Sequence, residues 1–590
     1  MAKTPSLEHQ RRFITSRIMD ARERQATEWL FEQAEPYPAG KFIPPLKAPR
    51  TGDHQRRFLA CDLITPEMSE GGSKEASLHV SDGNTLDLRV DLSGDDGGIE
   101  GFVHTLFTKR TRGHLLCFWR GARVAFHIIL FRWARGLVER GFTIQPLAAG
   151  PSIKALIIRK GRQSWWLCDI SAMTGLADVT RDEFVSAFLG GAPAPSSPVR
   201  ALWRALSGFQ EWSLVNFHAA LRPTIAGAAM RAASRHVPDD SWVWRPPALL
   251  VTMARQGGGF RGGYSVASRY VGPAWRGDLN KAYTSALAQP IPSRTALTSA
   301  GERSGGRPGL FLCHVAGPGI MPAYLGRFTG WSGGFERDYW NGDECWAVLP
   351  STEFVGLRAL GFRVTPRWGY VYTQVFDLSA HARAVEKAAA AAPRGSPRHI
   401  AAKVMGNAVY GKLAERPDRT DIVYAAERPG PEWAPHLTLQ GDETPYLWEG
   451  PGLAHRPNQH VDIAATVTGR VRGWLYEGIA AVSAAGGRVV HADTDGLLAT
   501  IDPRHALTPV DPLRLGAWRV SDPEQAVVWG AKGYSFGNEV RAAGVSGLTP
   551  EQAAMVAEGG TVSVEVIQTS APWSGRPPSE TIHKRVRASS

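Results

Sequence analysis

The sequence is poor in cysteine and in long apolar runs. It has 5 cysteines in 590 residues, and none of them belongs to a C-x-x-C pair. This scarcity argues against a disulfide framework and a zinc site, and it indicates a reducing compartment. Met1 to Arg24 is charged and lacks the apolar core of a signal sequence, while the most apolar stretch, Val124 to Phe131, is short. We therefore expect a soluble, cytoplasmic protein without membrane association.

Acidic residues are also in the minority. The chain has 67 Lys and Arg against 55 Asp and Glu, which gives a net charge of +12. Such an excess suits a polyanionic partner, for which nucleic acid is the natural candidate. Charge alone leaves the question open, because basic proteins without such a partner are common. The length exceeds what one hydrophobic core sustains, so we expect roughly two to four domains.

The first 240 residues divide into two parts. Residues 1–50 are predicted to be a helical extension and linker, because Leu7 to Ala34 has helical spacing and a proline-rich run follows it. Residues 51–240 alternate strand-like and helical runs, which predicts an α/β domain. Its clearest strand is Phe58 to Leu63, and a helix is predicted over Glu211 to Ala233.

Residues 241–590 carry the chemical motifs. Two stretches rich in Pro, Gly and Trp, about 298–368 and about 418–460, are interpreted as insertions on a catalytic core. The run Gly257 to Gly263 is too rich in glycine for a regular element and contains an arginine. We interpret it as a loop that approaches a phosphate backbone, with Arg261, Gly262 and Gly263 as DNA contacts.

The first motif is Arg276-Gly-Asp-Leu-Asn-Lys-Ala-Tyr283. Asp278 is expected to end a short strand and to hold a metal ion, and Lys281 to Ala288 is predicted to continue as a helix that meets a triphosphate. The ring of Tyr283 could lie beneath the incoming sugar and exclude a 2′-hydroxyl. Taken by itself, the motif is better interpreted as an aspartate turn before a buried tyrosine.

The second motif is Lys403-Val-Met-Gly-Asn-Ala-Val-Tyr-Gly411. Ser396 and Pro397 predict a helix start, with the serine as N-cap and the proline in the first turn. Lys403, Asn407 and Tyr410 then share one helix face at i, i+4 and i+7. These side chains suit phosphate, ribose and base contacts to a nucleotide, although an ordinary amphipathic helix is the alternative.

The third motif is His491-Ala-Asp-Thr-Asp-Gly496. It predicts a β-hairpin whose tip carries Asp493 and Asp495, and residues two apart in a strand share a face. Both carboxylates can therefore serve one pair of metal ions, as a two-metal phosphoryl-transfer site requires. Asp and Gly are also what turns prefer, so this motif is weak evidence when taken alone.

In this order the three motifs resemble those of the family B DNA polymerases, most closely the protein-primed group. Two weaker patterns agree with the resemblance. Thr466-Val-Thr-Gly-Arg470 looks like the DNA-binding Thr-x-x-Gly-Arg motif, and Lys532-Gly-Tyr534 like the Lys-x-Tyr motif. The resemblance therefore implies DNA contacts for Thr466, Arg470, Lys532 and Tyr534.

The resemblance implies an α/β fold with a right-hand polymerase, preceded by an RNase H-like exonuclease-type domain. The palm would hold the motifs near 278 and 493, the fingers would span about 386–415 and a small thumb about 536–590. Asp278 and Asp495, supported by Asp493, would bind two Mg²⁺ or Mn²⁺ ions. The implied partners are primer-template DNA and deoxynucleoside triphosphates, and the two insertions lie where relatives accommodate a terminal protein. We expect a monomer.

The main departures from the family lie in the N-terminal domain. The first exonuclease motif should be Asp-x-Glu, but Asp62 is followed by Leu63 and Ile64. The second motif's Asn and Asp are absent from Phe118 to Ala125, and the region Trp212 to Leu221 lacks the Asp of the third. Two-metal exonuclease chemistry needs more than one carboxylate. We therefore predict a retained exonuclease fold without proofreading, in which Asp62 is structural.

Three hypotheses follow from the sequence. The leading one is an active, metal-dependent DNA polymerase that adds deoxynucleotides to a 3′-hydroxyl or to a protein-primer hydroxyl. The second is a catalytically inactive DNA-binding protein with a decayed polymerase fold. The third is another two-metal enzyme, such as a nuclease, which would leave the helix of Lys403 unexplained. The sequence leaves the priming mode and the biological setting open.

Overall fold

The structure is a computed structural model. It describes residues 6–34, 55–64, 77–84, 86–91, 97–121, 125–149, 152–191, 195–237, 246–299, 307–329, 334–415, 420–436, 446–451, 460–545, 547–569 and 579–588. The linker predicted after residue 34 and parts of both predicted insertions lie outside the described residues. None of the helices in the described part of the chain is both long and apolar enough to cross a membrane.

Helices and strands alternate through the first 240 residues. In chain order they are α1 (Leu7–Thr15), α2 (Ala21–Ala34), β1 (Phe58–Ile64), β2 (Ser77–Ser81), β3 (Asp87–Asp91), α3 (Gly97–Leu106), β4 (Leu115–Phe118), α4 (Ala125–Ile128), α5 (Ala134–Glu139), β5 (Thr143–Ala149), β6 (Ser152–Lys160), β7 (Gln163–Asp169), α6 (Ile170–Thr174), α7 (Arg181–Phe188), α8 (Pro198–Phe217) and α9 (Ile225–Ser234). A π-helical turn, Ile129–Trp133, joins α4 to α5.

The second part of the chain is richer in strands. Its elements are α10 (Ala248–Arg255), β8 (Ser265–Ala267), β9 (Tyr270–Leu279), α11 (Ala282–Leu287), β10 (Ile291–Thr298), β11 (Gly309–Ala316), β12 (Ala323–Thr329), β13 (Gly334–Trp340), β14 (Glu344–Pro350), α12 (Phe354–Ala359), β15 (Arg363–Phe376), α13 (Ser379–Ala390), α14 (Pro397–Leu413), β16 (Thr420–Tyr424), β17 (Ala434–Pro435), β18 (Leu447–Pro451), α15 (Val461–Ala484), β19 (Val489–Asp493), β20 (Gly496–Ala499), β21 (Trp518–Val520), β22 (Glu524–Gly530), β23 (Gly533–Phe536), β24 (Glu539–Ala542), α16 (Pro550–Ala557), β25 (Val562–Thr569) and β26 (Ser579–Val586).

The largest sheet combines the N-terminal domain with one predicted insertion. Its strand order is β17-β18-β16-β5-β6-β7-β4-β1-β2-β3, in which β1, β4 and β7 run parallel. The sequence places about 418–460 on the catalytic core, yet β16 pairs with β5 through Tyr424 and Ile144. The side chain of Gln145 also donates a hydrogen bond to Asp421, at 3.3 Å. This insertion therefore extends the N-terminal sheet, which corrects the assignment made from the sequence.

The helix predicted over Glu211 to Ala233 is two helices. Helix α8 begins earlier, at Pro198, and ends where His218 takes a left-handed conformation with φ of 51°. Pro223 then prevents a helix from continuing, because it has no N–H to donate and disfavours helical geometry in the residue before it. Thr224 caps the next helix, α9, by accepting a hydrogen bond from the N–H of Gly227.

A second, 6-stranded sheet carries the N-terminal helices. Its order is β10-β15-β11-β14-β12-β13, so it contains most of the described part of the other predicted insertion. Trp368 of β15 stacks on Phe31 of α2 with ring centroids 5.9 Å apart, and its indole N–H donates to the hydroxyl of Thr27 at 3.0 Å. Helices α1 and α2 are therefore packed on this sheet and share a hydrophobic core with it.

The third sheet carries the first and third motifs. Its order is β24-β23-β22-β9-β20-β19-β8, and β21 pairs with the end of β9. The 24-residue helix α15 packs against β19 and β20, and the antiparallel pair β25 and β26 follows α16 at the C-terminal end. The mixed α/β class predicted from the sequence is confirmed.

Candidate active site

The carboxylates of the first and third motifs converge at adjacent strand ends. Asp278 lies near the end of β9, directly opposite Gly496 at the start of β20, and Gly496 in turn pairs with Asp493 at the end of β19. The N–H of Leu279 donates to the carbonyl oxygen of Asp495 at 2.8 Å. The hairpin predicted for the third motif is confirmed, and its turn residue Thr494 has a left-handed φ of 61°.

Two close contacts position this hairpin. A Cβ atom on Gly496 would lie 2.5 Å from Oδ1 of Asp278, so a larger residue here would have to displace that carboxylate. On the other side of the tip, a Cβ on Gly263 would lie 2.7 Å from Oγ1 of Thr494. The carbonyl oxygen of Tyr264 also accepts a hydrogen bond from the N–H of Thr494 at 2.7 Å. The glycine loop therefore buttresses the turn that carries the carboxylates.

The three aspartates repel one another and attract nearby cations. Burial, with the negative charge of Asp278 next in importance, raises the pKa of Asp495 to about 6, and Lys403 opposes this shift. Oδ2 of Asp278 lies 2.9 Å from Nη2 of Arg519, and Oδ1 of Asp493 lies 3.9 Å from Nζ of Lys532. The cluster thus gathers negative charge that positive side chains only partly balance.

The aspartates line a cleft of about 1190 Å³ that basic side chains also line. Lys403 and Asn407 of α14 line it, together with Lys281, Arg394 and His399. Helix α14 begins as predicted, because the hydroxyl of its N-cap Ser396 accepts a hydrogen bond from the N–H of His399 at 3.4 Å. Burial lowers the pKa of Lys281, and Lys403 adds to that effect. A cleft lined by both carboxylates and cations suits a metal-bound polyphosphate.

The two motif tyrosines pack against each other. The rings of Tyr283 and Tyr410 stack with centroids 4.1 Å apart and an interplanar angle of 15°. Tyr283 is buried, with 8% of its surface exposed, and burial raises its pKa. Helices α11 and α14 approach closely here, since a Cβ on Gly406 would lie 2.2 Å from Oγ1 of Thr284. The helix predicted over Lys281 to Ala288 is shorter than expected, because Lys281 has a left-handed φ of 46°.

Two of the predicted DNA contacts are wrong. Arg261 is fully buried, and its guanidinium donates to both carboxylate oxygens of Glu353 at 2.7 Å. Thr466 is also fully buried, and its hydroxyl is hydrogen-bonded to that of Tyr372 at 2.7 Å. Neither side chain reaches the surface, because each finds a partner remote in sequence. Both residues hold the core together.

The other predicted DNA contacts have accessible atoms. Gly262 is exposed, while Lys532 and Tyr534 line the cleft. The two terminal nitrogens of Arg470 donate to the carbonyl oxygens of Ala286 and Pro290, each at 2.8 Å. Arg470 therefore anchors the C-terminal end of α11, and a DNA contact for it stays a prediction.

The donor set of the cleft fits Mg²⁺ or Mn²⁺. Carboxylate oxygens are hard ligands, and Mg²⁺ is usually held by one or two carboxylates together with substrate phosphates. The described residues contain no group of three or more His, Cys, Asp or Glu side chains that could hold a metal ion. Burial and the negative charge of Asp278 raise the pKa of Asp495. Asp278 and Asp495 would hold the ions, with Asp493 beside them.

The corresponding edge of the N-terminal sheet has a different chemistry. Asp62 is bound to Arg181, with Oδ2 2.8 Å from Nη1. Asp169, at the end of β7, caps α6 by accepting a hydrogen bond from the N–H of Ser171 at 2.9 Å. Asp62 and Asp169 are therefore both engaged in structural contacts.

Sequence reasoning gave no cleft role to Lys281 or Arg519. Lys281 lies inside the first motif, so its position was visible in the sequence. Arg519 lies 241 residues from its partner Asp278. No local pattern connects the two residues, which meet because β21 pairs with β9.

Comparison with known proteins supports the fold. No family model matches the chain, and no curated protein matches it. Phi29 DNA polymerase in complex with primer-template DNA and incoming nucleotides superposes with a TM-score of 0.65 at 12% identity, covering 90% of this chain and 100% of the polymerase. An orthorhombic crystal form of the same polymerase gives 0.62 at 12% identity, and its complex with single-stranded DNA gives 0.56 at 13%, with the same coverage. This chain has the fold of Phi29 DNA polymerase, and the resemblance to protein-primed family B DNA polymerases inferred from its motifs is confirmed at the level of fold.

Proposed function

We propose that the protein is a template-directed DNA polymerase that adds deoxynucleotides to a 3′-hydroxyl and lacks 3′–5′ proofreading. The observation that carries the proposal is the cleft that Asp278, Asp493 and Asp495 line together with Lys403 and Asn407. A nuclease would need the carboxylates but has no use for a facing helix with these polar groups. The fold of a DNA polymerase supports the same assignment.

In this proposal the third sheet is the palm, helices α13 and α14 are the fingers and the region from about residue 536 is the thumb. The chain acts as a monomer on primer-template DNA. Protein priming is a further option, because the strands of both predicted insertions flank the core. Phi29 DNA polymerase has been observed with primer-template DNA and with nucleotides, and both are proposed as substrates here.

The residues of the cleft divide the work of phosphoryl transfer. Asp278 and Asp495 hold the two Mg²⁺ or Mn²⁺ ions, which when bound stabilise the charge that develops on the entering and leaving oxygens. Lys403 and Lys281 neutralise the triphosphate, and Asn407 orients the sugar. The Tyr283–Tyr410 stack closes the floor beneath the nucleotide and disfavours a 2′-hydroxyl.

The proposed lack of proofreading rests on the N-terminal domain. With Asp62 paired to Arg181 and Ile64 in place of the motif's Glu, one carboxylate is left at the position of the first exonuclease motif. A two-metal hydrolysis needs several carboxylates that are free to bind cations. We propose that this domain binds and supports DNA without cleaving it.

Primer extension tests the proposal. A labelled primer on a defined template is incubated with Mg²⁺ or Mn²⁺, with a matched and a mismatched 3′ end, using the unmodified protein, Asp278→Asn and Asp495→Asn. The matched control is Asp502→Asn, which removes an aspartate paired to Arg504 outside the cleft. We expect the unmodified protein and the Asp502→Asn control to extend the primer, and Asp278→Asn and Asp495→Asn to fail. None of the proteins should shorten the mismatched primer. DNA binding without extension under all conditions would instead support a binding protein with a decayed polymerase fold.

A further inference from the structure

Arg519 lines the catalytic cleft, and none of the sequence motifs assigns it a role. It lies in the short strand β21, on the same rung of the sheet as Asp278, with which it pairs across the antiparallel ladder. Residues directly opposite each other in such a ladder carry their side chains on one face. The register of the two strands therefore directs the guanidinium of Arg519 toward the carboxylate of Asp278.

The contact takes one oxygen of the metal-binding carboxylate. Nη2 of Arg519 lies 2.9 Å from Oδ2 of Asp278, while Oδ1 of the same carboxylate lies against Gly496. The two side chains are 37% and 31% exposed, so the ion pair is open to solvent and can exchange. A cation that ligates Asp278 through Oδ2 must compete with this guanidinium.

The other cations of the cleft do not make a contact of this kind. Lys532 lies 3.9 Å from Oδ1 of Asp493, which is beyond hydrogen-bonding distance. Lys403 acts on Asp495 through its charge and lowers the pKa of that carboxyl. Among these three cations, Arg519 alone forms a direct hydrogen bond to a proposed metal ligand in the described part of the site.

We propose that Arg519 is a positioning residue that holds Asp278 while no divalent ion is bound and competes with the ion for Oδ2. Arg519 therefore sets the concentration of divalent cation that the site requires. The inference rests on the proposed metal site. It concerns the affinity for the ion and does not require that the loaded protein synthesises DNA.

The size of the effect follows from the exposure of the pair. Partly exposed ion pairs contribute up to about 1 kcal/mol, which corresponds to a factor of about five in an equilibrium constant. Removing the guanidinium should therefore tighten the binding of the divalent ion by about two- to fivefold. A lysine at this position keeps the charge and should keep most of the competition.

Direct Mn²⁺ titration of the full chain, followed by electron paramagnetic resonance of the free ion, tests this competition. The variants are Arg519→Met, Arg519→Lys and the matched control Arg504→Met, which removes an arginine paired to Asp502 and Asp522 outside the cleft. We expect tighter binding for Arg519→Met alone. The gain should vanish in an Asp278→Asn background, where there is no carboxylate to compete for.

Each other outcome overturns the inference. Unchanged or weaker Mn²⁺ binding in Arg519→Met would mean that the arginine only holds the carboxylate in place, and an equal gain in Arg504→Met would mean a general effect of charge. In an active protein, the Mg²⁺ concentration for half-maximal extension should fall in Arg519→Met. Failed extension with the expected Mn²⁺ shift would refute the proposed function and leave this inference standing.

Discussion

Replacing Glu353 by Gln should unfold the protein at a markedly lower temperature, because Glu353 bridges two buried arginines. Its carboxylate accepts hydrogen bonds from Arg261 and Arg472, and all three side chains are completely buried. Removing one partner of a buried ion pair costs about 3 to 5 kcal/mol, since it leaves an uncompensated charge in the interior. Here two cations lose their counter-ion at once, so we expect the upper part of that range.

Thermal unfolding followed by circular dichroism measures this effect. For a domain of 150–250 residues, a loss of 1 kcal/mol lowers the melting temperature by about 2 to 4 °C, so Glu353→Gln should lower it by roughly 10 °C or more. The control is Asp338→Asn in β13 of the second sheet, which breaks a partly exposed pair with Arg327 and should cost about 1 kcal/mol or less. Similar melting temperatures for the two variants would refute the argument that the buried cluster stabilises the fold.

Three further predictions concern the two carboxylate sites. Gly496→Ala should slow primer extension by about ten- to a hundredfold, because the new Cβ would displace Oδ1 of Asp278. The control Gly227→Ala in α9, where a Cβ would have its nearest contact at 3.4 Å, should not slow extension. Equal rates for the two variants in single-turnover assays would contradict this prediction. Burial and Asp278 raise the pKa of Asp495 to about 6, so protons should compete with Mn²⁺ for this carboxylate below about pH 6. In the ion-free protein, protonated Asp495 contributes stability, and this contribution should be lost as the pH rises through about 6. If the pH dependence of Mn²⁺ affinity is the same in Asp495→Asn as in the unmodified protein, Asp495 is not the group that titrates. Asp62→Ala should lower the free energy of unfolding by about 1 to 2 kcal/mol, because the bond to Arg181 is lost. A labelled 3′ end should stay as intact with this variant as with the unmodified protein. If the unmodified protein degrades the 3′ end and the variant does not, Asp62 has a nuclease role.

The local parts of the site could be predicted from the sequence. The hairpin that carries Asp493 and Asp495 and the start of the helix at Ser396 depend on residues a few positions apart, so turn and capping chemistry is enough to place them. The convergence of Asp278 with that hairpin was inferred from the order of the motifs. The structure brings these residues to one cleft.

The errors about Arg261 and the second insertion involve partners that are distant along the chain. Arg261 was interpreted as a DNA contact because an arginine among glycines looks exposed, but Glu353 is 92 residues away in sequence and buries it. The pairing of β16 with β5 joins residues nearly 280 positions apart, so the second insertion could not be assigned to the N-terminal sheet. Periodicity and composition do not report such contacts.

The buried cluster also links the second sheet to the carboxylates. The guanidinium of Arg472 donates to the carbonyl oxygens of Arg261 and Gly262 at 2.9 and 2.8 Å, and the next residues of that loop contact Thr494 at the tip of the hairpin. A shift of Glu353 would therefore move the loop that buttresses Asp493 and Asp495. Because α1 and α2 pack on the same sheet, a change far from the cleft can alter the geometry of the metal-binding carboxylates through a continuous path of packed groups.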